Sequence, residues 1–543
     1  MTLSRTPAEG SDVIPLTTLD GEDDRAFRGD EHQALSKARV ATITVALCLG
    51  AFLISMDRTI ITIAISAITD RFRSSTDIAW YSSAYLITSC AFLPLFGRAY
   101  ALLDQKSTYL SCVAVFSVGS ALCGFAPSSL VLILGRAVAG LGSAGMFSGT
   151  LIIGARIVEP SRRILIMALG GLTMSLASIV GPLIGGVFTS KLNWRWCFLV
   201  NLPIGALTFV AILLTLKLPR SLTRTPARSW TTKLRSFDFI GAALLLGSAV
   251  MLFLTLHYGA DGITWTDPKI VLLLVFSGLT LGILAFWLKL AGENAIVPLR
   301  LIRHRSVVSA GIMAVGLYGG LIVIVYYLPV YFQASIGMSA KASGIALLPY
   351  LLATALTSIS TALLTTRTCL PQKTAVAIFA ITGCGIAMLA AGLLITVDAH
   401  TLSSRVTGFQ IMFGIGMGLA IQQGQNALQF ELKQDDLMMG MTLVQFYQSL
   451  GGAIAGAAGE AVFVEIMRAA ARQTPAGVDV GQVAAAGITA FRSLPVWCLE
   501  SWLSAYDGAF HATFALVCAL AGLALIGSCF MKTDGLKKRK TSA

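Results

Sequence analysis

Charge is what this chain has least of. Only 12% of its 543 residues are Asp, Glu, Lys or Arg, where a soluble domain carries about a quarter. Histidine is scarce as well, with five in the whole chain. Ten cysteines are present, but most are scattered through apolar runs (Cys48, Cys90, Cys112, Cys123, Cys384, Cys518, Cys529). They lack the paired spacing of a zinc site or a disulfide framework and read as small apolar fillers. The chain also lacks a Walker-type phosphate loop, a nucleophile elbow and any metal-ligand cluster. An enzyme is therefore not expected, nor a resident cofactor. Residues 1–39 have no basic start followed by an apolar run, which excludes a cleaved signal peptide. They read instead as a disordered, polar cytosolic tail.

Long hydrophobic runs fill the rest. Fourteen approach the ~20 residues that a bilayer requires, near 41–67, 78–98, 107–126, 129–154, 164–189, 197–217, 237–259, 269–290, 306–334, 342–365, 374–397, 404–428, 438–466 and 510–531. The expected fold class is an all-α polytopic membrane protein, and the lipid bilayer is its first partner. An even number of spans places both termini on one side. Basic residues concentrate there, at Arg156, Arg162 and Arg163, through 217–235, at Lys289, Arg300, Arg303 and Arg305, and at Lys537 to Lys540. The positive-inside bias makes that side cytosolic, so the net charge of +13 reports basic loops rather than nucleic-acid binding. The long basic loop 218–236 and a second basic loop after the eighth span isolate a hairpin, 237–290. The remaining spans form a six-helix bundle at 40–217 and another at 291–531, with an outer loop of about 468–509 and a basic tail at 532–543. Carriers built from repeated halves bind solute between them, near the midplane.

Polar residues inside spans are costly, at least about 2.5–3.5 kcal/mol for a mid-helix charge, so each needs a reason. Asp57 and Arg58 stand near the centre of the first span, and adjacent helical residues point about 100° apart. Arg136 lies in the fourth span. Asp57 is a candidate proton-carrying carboxylate tuned by Arg136; a structural ion pair joining spans one and four is the alternative. Glu460 and Glu465 lie late in their span and read as surface residues. Amides and aromatics at Tyr326, Tyr327, Gln333, Gln410, Gln422, Gln423, Asn426 and Gln445 suit a cavity for a large, mostly apolar solute; interhelical hydrogen bonds and an interfacial belt explain them equally well. Gly140, Gly142 and Gly145 match a dinucleotide fingerprint but lie inside an apolar span, where close helix packing is the better account. In the fifth span Gly181, Pro182, Gly185 and Gly186 would break a soluble helix, at roughly 1 kcal/mol per Gly and 3 for Pro. Within a bilayer they make a kinked, closely packed one.

In this order the residues resemble the major facilitator superfamily, and within it the fourteen-span drug:proton antiporter branch with its fungal multidrug and toxin efflux pumps. The likeness runs from about 40 to 531. It rests on Asp57-Arg58-Thr59-Ile60 through Asp70, Trp80-Tyr81, Arg136 with Gly140 and Gly142, and Gly181-Pro182 with Gly185-Gly186. It continues through Trp194-Arg195-Trp196, Asn201-Leu202-Pro203, Tyr327-Leu328-Pro329 and Leu348-Pro349. The loop after the second span departs from the superfamily pattern: Gly97, Arg98 and Lys106 remain as gating residues, while Ala101 replaces the usual acid and Asp104 a usual Gly. The resemblance implies alternating access in a monomer, driven by the proton gradient and expelling a small amphipathic organic substrate from the cytosol, most often across the plasma membrane and otherwise into the vacuole. Proton-coupled uptake, as in siderophore carriers, and a non-transporting sensor are the alternatives.

Overall fold

The computed structural model describes residues 37–72, 77–158, 160–216, 238–260, 266–292, 295–367, 371–398, 401–473 and 496–531. The N-terminal tail, the loop 218–236 and the basic C-terminal tail expected above lie wholly or almost wholly outside these residues. Helices account for nearly all that is described, with no strand among the described residues. In chain order they are α1 (Lys37–Phe72), α2 (Ile78–Leu102), α3 (Gln105–Gly124), α4 (Ser129–Arg156), α5 (Pro160–Lys191) and α6 (Asn201–Thr215, entered through the single turn Trp196–Leu199). Then follow α7 (Phe239–Ala260), α8 (Pro268–Ala291), α9 (Arg305–Ala334), α10 (Leu348–Arg367), α11 (Gln372–Leu394), α12 (Ser403–Ala420, continued by Gln423–Glu431), α13 (Gln434–Gln473) and α14 (Val496–Cys529).

Thirteen helices among the described residues are long and apolar enough to cross a membrane. The remaining one, α5, is a 32-residue helix whose described apolar part covers Ala168–Ser178. Helix α13 runs on to Gln473 and α14 begins at Val496. The expected outer loop 468–509 is thus helical at both ends, and its centre lies outside the described residues. Helix α8 turns Leu272, Leu274, Val275, Phe276, Leu279 and Phe286 outward, a band that only hydrocarbon solvates at acceptable cost.

Helices α1–α6 pack mainly on one another and α9–α14 likewise, while the α7–α8 hairpin rests on α2 and α13. The two six-helix groups meet through α2 against α13 and α5 against α10. The second helix of each group therefore meets the fifth of the other, as an approximate twofold axis along the helices requires. A short sequence echo marks the same relation: Arg136-x-x-x-Gly140-x-Gly142 in α4 and Gln410-x-x-x-Gly414-x-Gly416 in α12. A Cβ on Gly140 would collide with the carbonyl of Tyr85 on α2, and one on Gly142 with the amide of Phe116 on α3. A Cβ on Gly414 would meet the carbonyl of Tyr350 on α10, and one on Gly416 the amide of Ala387 on α11. Backbone cannot yield as a side chain can, so these glycines let each fourth helix sit directly on its second and third. The fingerprint-like Gly140, Gly142 and Gly145 are packing residues.

The chain enters and leaves the described bundle at one end, here the basal end, opposite the distal end. Contact between the halves is concentrated basally. Gly97 on α2 faces Thr442 of α13, where a Cβ would come within 2.9 Å of the Thr442 Oγ1. Arg156, closing α4, donates through Nη2 to the Met438 Sδ on α13 at 3.4 Å. With its amide turned to suit, Gln105 accepts from Arg156 Nη1 at 2.9 Å. Lys106 donates instead to the Leu213 carbonyl of α6, within its own half, at 2.6 Å. Asp104 caps α3 by accepting from the Ser107 amide at 2.9 Å, which is why a carboxylate replaces the usual glycine here without reaching the other half. Arg98 follows Gly97 on α2 and is half-buried.

Candidate functional site

Asp57 sits where α1, α4 and α6 converge. Its side chain is wholly buried, and Arg136 is 1% exposed. Arg136 Nη1 donates to Asp57 Oδ2 at 2.6 Å, and Asn201 Nδ2, on α6, donates to Asp57 Oδ1 at 2.7 Å. Arg136 has further holds: its Nε donates to the Tyr81 carbonyl at 2.9 Å, and its guanidinium lies 4.4 Å from the Tyr85 ring centroid. Distally, Tyr81 and Ser129 hydroxyls are 2.9 Å apart, and Ser129 donates to Asp77 at 2.5 Å. Taking two ions out of water is tolerable only when geometry and additional hydrogen bonds are this complete. The ion pair ties spans one and four together, which is the structural one of its two expected roles.

Asn201 stands in the sequence only as part of a family-like motif and is not expected there as a site residue. It opens α6 after a polar corner, and an Asn at a span boundary usually reads as interfacial. Its remaining carbonyl oxygen, Oδ1, is buried without a hydrogen-bond partner, and its Nδ2 also approaches Ser120 Oγ at 3.3 Å. The amide can therefore serve two states of Asp57. As drawn it donates to a carboxylate; rotated, it accepts from a carboxylic acid. Asn201→Leu should lower the melting midpoint of the purified protein, since a hydrogen bond to a charged group contributes about 1.5–3 kcal/mol. Ser120→Ala should cost only about 0.6 kcal/mol, the average for a neutral interhelical bond in a membrane. Thermal unfolding followed by intrinsic fluorescence compares the two.

Between the halves lies a narrow cavity of about 40 Å³. Thr44, Leu47, Cys48 and Ala51 of α1, Phe147 and Leu151 of α4, and Ile166 and Met174 of α5 line its first-half wall. Tyr318, Gln422, Gln425 and Gln445 line the second. Of the expected cavity residues, Gln422 and Gln445 are on this wall. Gln423 and Asn426 turn inward, where Asn426 Nδ2 donates to Gln423 Oε1 at 3.3 Å. Gln333 Nε2 bonds the Pro329 carbonyl of its own helix at 3.2 Å. Gln410 is buried with neither amide atom hydrogen-bonded. These four do not line the cavity, because helix contacts within the second half claim their faces first. Tyr327 packs on Phe463, with ring centroids 5.2 Å apart, whereas Tyr326 is 58% exposed. Glu460 and Glu465 are exposed.

The fifth-span glycines divide in two. A Cβ on Gly181 would strike the Thr59 hydroxyl of α1, and one on Gly185 would lie 2.9 Å from Ile60 Cγ1 and 3.1 Å from its carbonyl. A Cβ on Gly186 would meet nothing within 4 Å. Pro182 falls inside the continuous α5 helix.

Comparison with known proteins agrees with this architecture. The family model described as Major Facilitator Superfamily matches residues 47–456. The chain is 37% identical over 508 residues to the "MFS-type efflux pump MFS1" of Trichophyton rubrum, covering 92% of this chain and 93% of that protein. It is 38% identical to "Efflux pump roqT" of Penicillium rubens, covering 94% and 95%, and 34% identical to "Efflux pump aflT" of Aspergillus parasiticus, covering 95% and 99%. Among solved structures, the human organic anion transporter MFSD10 superposes with a TM-score of 0.53 at 15% identity, covering 88% of this chain and 99% of that one. That likeness concerns the fold. With two six-helix groups about a twofold axis, a polar pair at the heart of the first and relatives along nearly its whole length, the chain belongs to the major facilitator superfamily.

Proposed function

We propose that this protein is a proton-coupled antiporter that expels small amphipathic organic compounds by alternating access. The observation that carries the proposal is the buried Asp57–Arg136–Asn201 cluster, placed in a half-bundle whose helices α1, α4 and α5 also line the cavity between the halves. A proton arriving at Asp57 cancels its charge. Arg136 then keeps the Tyr81 carbonyl and the Tyr85 ring, while Asn201 turns its oxygen to the new hydroxyl. Protonation thus loosens the tie between α1 and α4 without stranding Arg136. The named efflux relatives support export as the direction. The basic end, where the halves are joined, is assigned to the cytosol by the positive-inside bias, with the plasma membrane the membrane concerned. A proton moving down about 100 mV releases roughly 2.3 kcal/mol and one pH unit adds about 1.4. Together these hold roughly a 500-fold gradient of a neutral solute at one proton per molecule.

The test is purified full-length protein in liposomes with an imposed pH gradient and the neutral fluorophore phenylnaphthylamine as probe. Export coupled to proton entry predicts dye movement opposite to the protons, abolished by a protonophore. Movement in the same direction as protons establishes uptake instead, and gradient-independent binding without movement establishes a sensor.

A further inference from the structure

Arg58 is the mid-span charge that the Asp57 cluster leaves unused. Being adjacent to Asp57, it points about 100° away from the α4–α6 side. Helical spacing identifies what it does face. Thr44, Leu47 and Ala51 line the cavity, and Arg58 follows Ala51 by seven residues, or two turns, on the same face and about 10 Å further distal. Its charge reaches Tyr85 and Cys90 in its own half and Tyr318 and Tyr326 of α9 in the other. Tyr318 is itself part of the cavity wall. Arg58 is exposed and has no hydrogen bond or ion pair among the described residues. The neighbouring pair is neutral as a unit, because Arg136 balances Asp57. Glu460, on α13, also acts on Tyr326 and on Tyr327.

Resting on the export reading, we infer that Arg58 is the head-group receptor of the substrate site and that the preferred substrates are amphipathic compounds bearing an anionic group, a carboxylate or its equivalent. An unbonded guanidinium within the span, two turns distal to the cavity-lining Ala51 on the same helix face, attracts such a group, and its planar fork matches a carboxylate. The apolar body would then extend basally along Leu47, Leu151, Ile166 and Met174, with Gln422, Gln425 and Gln445 meeting its polar substituents.

Two probes that differ only in the anion test this: anilinonaphthalene sulfonate and phenylnaphthylamine, titrated into the full-length protein in lipid nanodiscs and corrected for empty discs. Wild type should bind the sulfonate more tightly than the neutral probe. Arg58→Gln should weaken sulfonate binding at least tenfold while leaving the neutral probe within about twofold, and Arg58→Lys should restore most of the difference. Unchanged sulfonate affinity in Arg58→Gln overturns the assignment, as does equal loss of both probes. If Glu460→Gln reproduces the Arg58→Gln pattern, the two are a gating ion pair and the assignment also fails. Gradient-driven movement of the neutral probe in liposomes is scored separately. Transport without charge selectivity removes the substrate class alone, and charge selectivity without transport removes export alone.

Discussion

Asp57→Asn is expected to yield a folded protein that no longer moves substrate against a gradient. The carboxamide keeps an oxygen toward Arg136 Nη1 and preserves packing around the 2.6 Å contact, but it cannot accept and release a proton. Asp57→Ala should be far more damaging. Removing one partner of a buried pair costs about 3–5 kcal/mol, because the other charge stays behind without compensation. With Arg136 1% exposed no water can replace the carboxylate, so the yield of folded protein should collapse. The double substitution Asp57→Leu with Arg136→Met should recover much of that stability, as apolar replacement of a whole buried pair often does, and still fail to transport. The nonadditivity of the cycle then separates the architectural role from the coupling role. Size-exclusion profiles and melting midpoints report the first, and proton-driven dye movement in liposomes the second. Undiminished transport by Asp57→Asn would take the carboxylate out of the mechanism.

Gly185→Leu is expected to uncouple the carrier, whereas Gly186→Ala should behave as wild type. Nothing lies within 4 Å of a Cβ on Gly186, while one on Gly185 is opposed at 3.1 Å by the Ile60 carbonyl, which is backbone and cannot move aside. Overpacking of this kind typically costs 1–3 kcal/mol. Here it would wedge α5 away from α1 three residues from Asp57. Ser55 donates across the same seam to the Met174 carbonyl at 2.8 Å, so the seam is polar as well as close, and opening it admits water beside the buried pair. The measurable result is proton leak: a pH-sensitive dye trapped in liposomes should register faster equilibration without substrate. Wild-type tightness in Gly185→Leu would reduce the motif to ordinary packing. The close approach of this motif to α1 rests on Gly181 and Gly185, and the role expected for it is geometric.

The basal contact between the halves illustrates how a missing motif residue is replaced. Ala101 cannot supply the usual acid, and Asp104 is committed to capping α3. Instead, Arg156 reaches Met438 directly, with Gln105 holding the guanidinium. A sulfur acceptor is weaker than a carboxylate, which suits a contact that would open in the proposed alternating-access cycle.

Sequence by itself determined the class of molecule, the approximate spans and the basic side. Each follows from transfer energies that a segment carries alone, since a run such as 306–334 is apolar whatever surrounds it. It also nominated Asp57 and Arg136, because charge within such a run is rare enough to be conspicuous. What tertiary structure alone decided is direction. Asn201 could not be distinguished from an interfacial residue until α6 placed it 2.7 Å from Asp57. Gln410 and Gln422 are both amides of one helix, yet one is enclosed within the second half and the other lines the cavity. Asp57 and Arg58 are adjacent in the chain, yet one is sealed against Arg136 and the other is exposed. A helix surrounded by lipid and protein gives weak hydrophobic contrast between its faces, so rotation is set by small-residue packing and interhelical bonds with distant partners. Those partners are known only once the bundle is assembled.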